Sequence, residues 1–480
     1  MTGIRNTISR IREKNAFVNA TFVYILANGI GQGTTLLANS FFTRYMTRSD
    51  FGTYSTYYSY VALLVPFVGM NLYVGLSNAY IDHKNVIHKF RSSTLMLSVF
   101  GLIVSSAIML LANMVIDLQI TTIGVLLSLA HAYGFFLVNF YIQSMNMENR
   151  YVAKGLMLAI PNILQALLAI LAVLLCNTFV SRAIGATAGI LSSGILATIL
   201  ILRVAKPAIN KDYWKYTLKI SLPAIIGSVS TMIMQQCDKV MITSMIDSEA
   251  TAVYALVYNI GYILYAIQQA TNGAWQAWLY NAMRDEKYGI IAVVQKWYLY
   301  FMVVVATGLY MIAPEIVRVL SPDSYWTFEY VTPFVIGSYL MLMYSLNIGV
   351  MQYRKRTGVV SLVVAIAALI NIILNYCLIP RFGGVGAAYT SVASYAFILI
   401  ASCVYLTIKK DFYFKHKYNI VSIAWVILLG IVFYMVMNTM VLRYVIFLSV
   451  LVIELLYLLV RKSEIWSLYS GSKNKSDTDS

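Results

Sequence analysis

The chain has 480 residues, of which 60% are hydrophobic and 11% are charged, and its mean hydropathy is +0.73. A soluble globule of this length needs far more charged surface, so the composition excludes a soluble protein. The formal net charge of +16 comes from basic residues spread between apolar blocks, not gathered in one patch, which argues against a nucleic-acid partner.

Apolar blocks of about 20 residues, the length that spans a ~30 Å hydrocarbon core, recur along the chain. They predict an all-α membrane protein of about fourteen transmembrane helices. The loops between them are all short, so we expect no catalytic domain and no enzyme. The predicted order is an amphipathic cytoplasmic N-terminus (1–16), six helices (17–203), a cytoplasmic loop (204–219), six helices (220–408), two helices (409–461) and a polar cytoplasmic tail (462–480).

The density of basic residues alternates from loop to loop. With the N-terminus inside, only six of the 35 Lys and Arg residues fall in outer loops. The positive-inside rule therefore predicts an inner-membrane protein whose N- and C-termini are both cytoplasmic. The six outer residues are Arg44, Arg48, Arg182, Arg318, Arg381 and Arg443.

The first six helices resemble the next six, at an offset of about 200 residues. RSDFGTYSTYYSY corresponds to DSEATAVYALVYNI, and IGATAGILSS corresponds to VGAAYTSVAS. Two copies that both start inside are parallel repeats, typical of a transporter that rocks about a central cavity. We therefore predict two pseudo-symmetric six-helix lobes plus two C-terminal helices.

Four stretches follow one another along the chain: YMTRSDFGTY, LKISLPAIIGSVSTMIMQQCDKVMI, AVYALVYNIGYILYAIQQATNGAWQAWLY and IPRFGGVGAA. In this order they resemble the multidrug/oligosaccharidyl-lipid/polysaccharide (MOP) exporter superfamily, and within it the Wzx-type flippases of the polysaccharide-transport branch. The resemblance implies a two-lobe, MATE-like fold with alternating access in the bacterial inner membrane. The implied substrate is an undecaprenyl-pyrophosphate-linked oligosaccharide (O-antigen, capsule or exopolysaccharide), moved from the inner to the outer leaflet.

The expected partners are this lipid-linked oligosaccharide, membrane lipids and other polysaccharide assembly proteins. The chain contains no GxxxxGK[ST] phosphate loop, so an ion gradient (H⁺ or Na⁺) or the membrane potential is expected to supply the energy. The four cysteines show no metal-binding spacing, and we predict no metal site and no cofactor.

A charged lipid headgroup cannot cross hydrocarbon without a wet, cationic passage. Lys239, Arg44 and Arg48 are the candidate ligands for pyrophosphate. The alternatives are an outer-end ion pair between Lys239 and Asp238, and ordinary interfacial snorkelling of the two arginines.

Polar and aromatic side chains near the middle and the cytoplasmic end of two helices are candidates for binding the sugar. For the tryptophan, the alternative is a place in an interfacial aromatic belt. The candidates are Gln235, Gln236, Gln268, Gln269, Asn272 and Trp275.

Asp238, Glu454 and His131 are ionisable groups inside predicted helices, which makes them candidates for ion coupling or gating. For Glu454 and His131 the alternative is an interior polar group whose hydrogen bonds are satisfied by neighbours.

Three rival functions remain open. A drug exporter of the same fold predicts an acidic lumen, whereas the intramembrane charges here have both signs. A membrane glycan polymerase or ligase needs a larger outer loop than this chain has, and a scaffold does not explain the internal repeat.

Overall fold

The computed structural model describes residue 23 and residues 26–115, 118–148 and 150–461. Within these ranges the chain is helical and contains no β-strand. The predicted amphipathic N-terminus (1–16) and polar tail (462–480) lie outside the described residues. The helices are α1 (26–45), α2 (Arg48–Val68), α3 (Leu72–Asp82), α4 (Ile87–Val115), α5 (Thr122–Met147), α6 (Tyr151–Leu175), α7 (Phe179–Val204), α8 (Lys211–Met245), α9 (Ser248–Arg284), α10 (Tyr288–Leu320), α11 (Val331–Tyr353), α12 (Thr357–Ile408), α13 (His416–Val436) and α14 (Met440–Val460).

Twelve helical stretches of the described chain are long and apolar enough to cross a membrane. One of them, Arg48–Asp82, consists of α2 and α3 together. The first predicted segment corresponds to α1, which is not among the twelve, and the 52-residue stretch of α12 contains two predicted segments. The difference between twelve and fourteen thus comes from α1, which is not counted, and from α12, which is counted once. The all-α membrane fold is confirmed.

Helix α12 is two helices joined at Gly383. This residue has φ of +61° and ψ of −147°, a backbone conformation open to glycine but costly for residues with a Cβ atom. Pro380, three residues earlier, cannot donate a helical hydrogen bond. The IPRFGG sequence therefore places the junction between the two predicted segments.

The chain divides into two compact units. Unit 1 takes in the described residues of Met1–Leu256, Leu320–Tyr325 and Val364–Ala387, and unit 2 takes in those of Val257–Val319, Trp326–Val363 and Ala388–Ser480. Helices α9 and α12 each contribute residues to both units. The predicted lobes, 17–203 and 220–408, follow chain order and stay a prediction.

In unit 1, the start of α2 meets the start of α9. The hydroxyl oxygens of Ser49 and Ser248, which are 199 residues apart, lie 2.9 Å from each other. A Cβ atom on Gly52 would lie 1.6 Å from the carbonyl oxygen of Ser248, so this approach requires glycine. The two serines hold nearly equivalent positions in the predicted repeat.

Polar pairs connect the α2–α3 stretch to α8 in unit 1. The hydroxyl oxygens of Thr56 and Thr243 are 2.5 Å apart, and the Asn71 amide donates to the Ser228 hydroxyl at 2.8 Å. Apolar side chains gain little by leaving lipid for another helix, so hydrogen bonds and close packing hold membrane helices together. These pairs fix the rotation of α8, which carries Asp238 and Lys239.

In unit 2, the last two helices are attached to α10 and α11. The Thr332 hydroxyl on α11 donates to the Gly430 carbonyl on α13 at 3.3 Å. On α14, the fully buried Arg443 donates to the Met311 carbonyl at 3.0 Å and pairs with Glu315 on α10. Helices α13 and α14, which lie outside the predicted repeat, are therefore an integral part of unit 2.

Candidate functional site

Asp238 lies buried in α8, where neutral donors hold its carboxylate. Oδ2 accepts a hydrogen bond from the Tyr254 hydroxyl at 2.6 Å, and Oδ1 accepts one from the Asn375 amide at 2.7 Å. The Asn375 amide also donates to Oδ1 of Asn371 at 3.1 Å. Asp238 therefore connects α8 to α9 and to the first half of α12 within unit 1.

Lys239 is buried beside Asp238 but reaches a different neighbour. Its Nζ donates to Oε1 of Gln236 at 3.1 Å, and the same oxygen accepts from the Ser59 hydroxyl at 3.2 Å. The structure thus brings together two predicted substrate ligands, Lys239 and Gln236, next to α2. Gln235 is half-buried on the same helix.

Arg44 and Arg48 lie on either side of the α1–α2 turn. Arg44 donates to the Ser40 carbonyl at 2.8 Å, and Nε of Arg48 lies 3.8 Å from the Glu249 carboxylate. The Arg48 guanidinium is 5.8 Å from the centre of the Tyr325 ring. Burial raises the pKa of Tyr325 to about 12 despite the opposing charge of Arg48.

Arg182 is a buried cation that the sequence analysis assigned to an outer loop. It is 5% exposed, and its guanidinium carbon lies 3.8 Å from the centre of the Phe42 ring and 3.7 Å from that of Tyr54. NH2 donates to Oδ1 of Asn39 at 3.0 Å. This aromatic enclosure is a cation–π arrangement that ties α7 to α1 and α2. The cluster of aromatic residues after the first helix was the signal available in the sequence.

His131 forms hydrogen bonds with neighbours in unit 1 through both ring nitrogens. Nε2 lies 3.0 Å from Oε1, the side-chain amide oxygen of Gln165, so Nε2 carries a proton and donates. Nδ1 then accepts from the Tyr57 hydroxyl at 2.9 Å, and the Thr187 hydroxyl lies 3.0 Å from the same tyrosine oxygen. One histidine therefore joins α5 to α2, α6 and α7.

Glu454 on α14 is satisfied at one carboxylate oxygen and not at the other. It is 4% exposed; Oε1 accepts from the Trp425 indole at 2.9 Å and lies 3.0 Å from the Thr307 hydroxyl. Oε2 is buried and has no hydrogen-bond partner within the described residues. The Tyr300 hydroxyl donates to the backbone carbonyl of Glu454 at 2.6 Å.

A row of unpartnered polar atoms follows one face of α9 in unit 2. Oε1 of Gln268, Oδ1 of Asn272 and Nε1 of Trp275 are buried, and none has a hydrogen-bond partner among the described residues. Their spacing of four and three residues places them on one side of the helix. Nε2 of Gln268 donates to the Ser345 hydroxyl on α11 at 2.8 Å. Gln269 lies outside this row, exposed, and donates to the Tyr265 hydroxyl.

The faces of the Trp275 ring are already in contact with aromatic neighbours. Its centre lies 5.5 Å from that of Tyr298, with nearly parallel planes, and 6.4 Å from that of Phe414. The residue is buried within unit 2. Its indole N–H, which can donate one hydrogen bond, is the group left for a ligand.

The row offers two acceptors and one donor to a ligand, with no net charge. Such a set suits a neutral polar molecule that both donates and accepts hydrogen bonds. Within the described residues, no group of three or more His, Cys, Asp or Glu side chains could hold a metal ion.

The arrangement of helices resembles that of solved structures of a flippase and of membrane transporters. A structure of the lipid II flippase MurJ in an inward closed conformation is 15% identical to this chain, with a TM-score of 0.71 and coverage of 93% of this chain and 100% of that chain. The Vibrio cholerae MATE transporter VcmN is 11% identical, with a TM-score of 0.58 and coverage of 82% and 97% respectively.

The family profile described as "Polysaccharide biosynthesis protein" matches residues 17–280. The chain belongs to this family, and the predicted resemblance is confirmed.

Shorter matches connect the chain to curated relatives. A Bacillus cereus protein named "Probable multidrug resistance protein NorM" is 28% identical over 136 residues, which cover 26% of this chain and 30% of that protein. A Bacillus anthracis protein of the same name is 28% identical over 135 residues, with the same coverage. The chain thus spans about 30% of the length of these relatives.

Proposed function

We propose that this protein is a flippase for an undecaprenyl-pyrophosphate-linked oligosaccharide, the repeat unit of an O-antigen, capsule or exopolysaccharide. It carries this lipid from the inner to the outer leaflet of the bacterial inner membrane by alternating access between two lobes, with both termini in the cytoplasm. An H⁺ or Na⁺ gradient or the membrane potential drives the cycle. Other polysaccharide assembly proteins supply and receive the substrate.

The row on α9 is the observation that carries this proposal. A polar atom buried in a membrane protein without a partner costs free energy, so such groups are retained where a ligand or water satisfies them. Gln268, Asn272 and Trp275 provide three such atoms along two turns of one helix. Sugar hydroxyls donate and accept hydrogen bonds, and the family is one of polysaccharide biosynthesis.

Two charged residues on α8 take the remaining roles. Lys239 binds the pyrophosphate, since it is a buried cation of α8 whose ammonium donates to the side-chain amide of Gln236, another candidate ligand. Asp238 couples transport to a cation, since a cation bound at its buried carboxylate would change the hydrogen bonds that it accepts from Tyr254 and Asn375 on two other helices. Arg44 and Arg48, on either side of the α1–α2 turn, are further candidate ligands for the pyrophosphate.

The test is a flipping assay with purified protein in proteoliposomes. A polyprenyl-pyrophosphate oligosaccharide with a fluorescent sugar is reconstituted in both leaflets, and its movement is read by quenching with an impermeant reductant. Protein-dependent movement is expected, and it should fall at least tenfold in Lys239→Gln but not in Lys89→Gln, an exposed lysine on α4. Equal rates in both variants would remove Lys239 from the substrate site, and no movement with the wild-type protein would contradict the flippase.

Ion coupling is tested with the same vesicles. Imposing an H⁺ or Na⁺ gradient should accelerate flipping in the wild type, and Asp238→Asn should abolish this acceleration. Retention of the gradient dependence in Asp238→Asn would exclude Asp238 as the coupling residue.

A drug exporter of the same fold is the second candidate, because the NorM relatives are named as multidrug resistance proteins. It predicts efflux of apolar cations such as ethidium from vesicles under an ion gradient. Ethidium efflux without lipid-linked oligosaccharide movement would favour this function over the flippase.

A further inference from the structure

Unit 2 contains a groove of about 570 Å³ between α11, the second half of α12 and α13. Its walls are apolar, formed by residues such as Leu340, Ile400 and Ile408. Polar lining residues occur at one end, where α12 finishes and α13 begins: Thr407, His416 and Asn419. Ile400 and Ile408 are largely exposed, so the groove is open along the lipid-facing side of the helices.

Four lysines surround the polar end of this groove. Lys409 and Lys410 directly follow the lining residue Ile408, and Lys415 and Lys417 flank the lining residue His416. All four are exposed, and none forms an ion pair within the described part of the chain. The groove therefore ends in a patch of uncompensated positive charge.

The connection that carries these lysines has a defined conformation. Asp411, the one acidic residue of the sequence KKDFYFKHK, pairs with Arg354 at 3.0 Å and with Arg356 at 2.8 Å. The rings of Phe412 and His416 stack at 4.1 Å. Two arginines thus neutralise Asp411, and within the described residues this acidic residue of the connection forms no ion pair with any of the four lysines.

We propose that this groove is a binding site for an anionic phospholipid. An acyl chain lies along the apolar walls, and the headgroup phosphate contacts the lysines at the α12–α13 connection. Basic pockets at the ends of membrane helices recognise anionic headgroups, because each Lys near the surface attracts them. This lipid site is independent of the substrate that the protein transports.

The test measures lipid retained by the purified full-length protein. Detergent-solubilised protein is titrated with phosphatidylglycerol or phosphatidylcholine of the same acyl chains, and bound lipid is counted by native mass spectrometry. Phosphatidylglycerol should bind about tenfold more tightly, a preference that the charge of several lysines can supply. Replacing Lys409, Lys410, Lys415 and Lys417 by Gln should abolish this preference.

A control variant loses the same charge elsewhere. It carries Gln in place of four exposed lysines outside the groove and should keep the wild-type preference: Lys84, Lys89, Lys287 and Lys355. A second variant, Val404→Trp, narrows the groove without changing charge and should lower the number of retained phosphatidylglycerol molecules by one.

Three outcomes would overturn the proposal. The first is equal binding of the two lipids by the wild type, and the second is an equal loss of preference in both four-lysine variants. The third is displacement of phosphatidylglycerol by a polyprenyl phosphate at a lower concentration, which would make the transported lipid the occupant.

Discussion

His131 in unit 1 and Asn272 in unit 2 are both polar residues inside apolar helices, but their surroundings differ. Both ring nitrogens of His131 make hydrogen bonds, to Tyr57 and to Gln165. Oδ1 of Asn272 is buried and has no partner among the described residues. His131 therefore joins helices to each other. Asn272 leaves its Oδ1 atom available to a molecule that is not part of the chain.

This difference separates structural from functional polar residues within a membrane. An ionisable or polar residue in a transmembrane helix is a functional candidate by default. A complete set of partners changes that expectation, because removing one partner leaves the others unsatisfied in a low-dielectric interior. We therefore expect mutations of the His131 group to affect stability, and mutations of the α9 row to affect transport.

The largest effect on stability is expected for His131→Ala. The substitution removes the imidazole that the Tyr57 hydroxyl and the side-chain amide oxygen of Gln165 contact. It also opens a cavity between four helices. The expected loss is about 2 kcal/mol, given the modest strength of single hydrogen bonds in membrane proteins and the added cavity. The measurement is the melting temperature of the purified protein in detergent, followed by tryptophan fluorescence.

Transport by His131→Ala should fall only in proportion to the amount of folded protein. His131→Gln, which keeps a donor and an acceptor, should recover part of the lost stability. A normal melting temperature together with abolished transport would make His131 a functional residue, and its structural role would be contradicted.

Asn272→Ala is expected to show the opposite behaviour. No hydrogen bond of the Oδ1 atom is lost within the described protein, so the stability should change by less than about 0.5 kcal/mol, as at positions without such features. The flipping rate below substrate saturation should fall about tenfold, which corresponds to about 1.4 kcal/mol of lost interaction with the substrate. The flipping assay and the melting curve are measured on the same preparation.

Asn281→Ala is the matched control, because this residue of α9 is exposed and lies outside the row. It should leave the flipping rate close to that of the wild type. Equal losses at both positions would indicate a general perturbation of α9 and remove the argument for a ligand site.

The fold was predictable because the length of each apolar segment and the charge of each loop indicate membrane spans along the whole chain. The two segments joined at Gly383 were separated in the prediction, since Pro380 cannot donate a helical hydrogen bond and Gly383 can adopt a positive φ. The partners of the polar residues were not predictable, because they depend on the rotation of each helix. Arg182 illustrates this limit: its place between Phe42 and Tyr54 requires three helices to be positioned at once.

For the candidate site, the sequence supplied residues but not their relationships. Gln268, Asn272 and Trp275 share a face because of their spacing, which is a property of the helix alone. That their polar atoms lack partners depends on α11 and on the aromatic neighbours Tyr298 and Phe414. These two rings cover the faces of Trp275 and leave its indole N–H as the group that can contact a ligand.

Glu454 combines the features of His131 and Asn272, because its Oε1 has hydrogen-bond partners and its Oε2 has none among the described residues. In Glu454→Gln the amide oxygen can still accept from Trp425 and Thr307, while the new NH₂ group occupies the place of the unpartnered Oε2. The melting temperature should stay within about 1 °C of the wild type, because an isosteric change preserves the existing hydrogen bonds. If Glu454 takes up a proton during transport, the dependence of flipping on pH between 5 and 8 should become weaker.

Glu454→Leu serves as the structural counterpart, since it removes both acceptors and should destabilise the protein by about 1 kcal/mol. An unchanged pH profile in Glu454→Gln would place Glu454 with His131 as a group of purely structural importance.

The smallest effect is expected outside the membrane, at Asp285 in the α9–α10 connection. Hydrogen bonds from Lys287, at 2.9 Å, and from Arg284, at 3.2 Å, lower the pKa of this carboxyl below its usual value of 3.8. A lowered pKa in the folded state contributes stability above the unfolded pKa, and this contribution is lost as the pH falls below about 4. Because all three groups are exposed to solvent and screened by salt, Asp285→Asn should shift the melting temperature at pH 7 by less than about 1 °C. A larger shift, or one that persists in 1 M NaCl, would contradict this expectation. It would mean that an exposed ion pair stabilises the protein as much as the buried hydrogen bonds of His131 do.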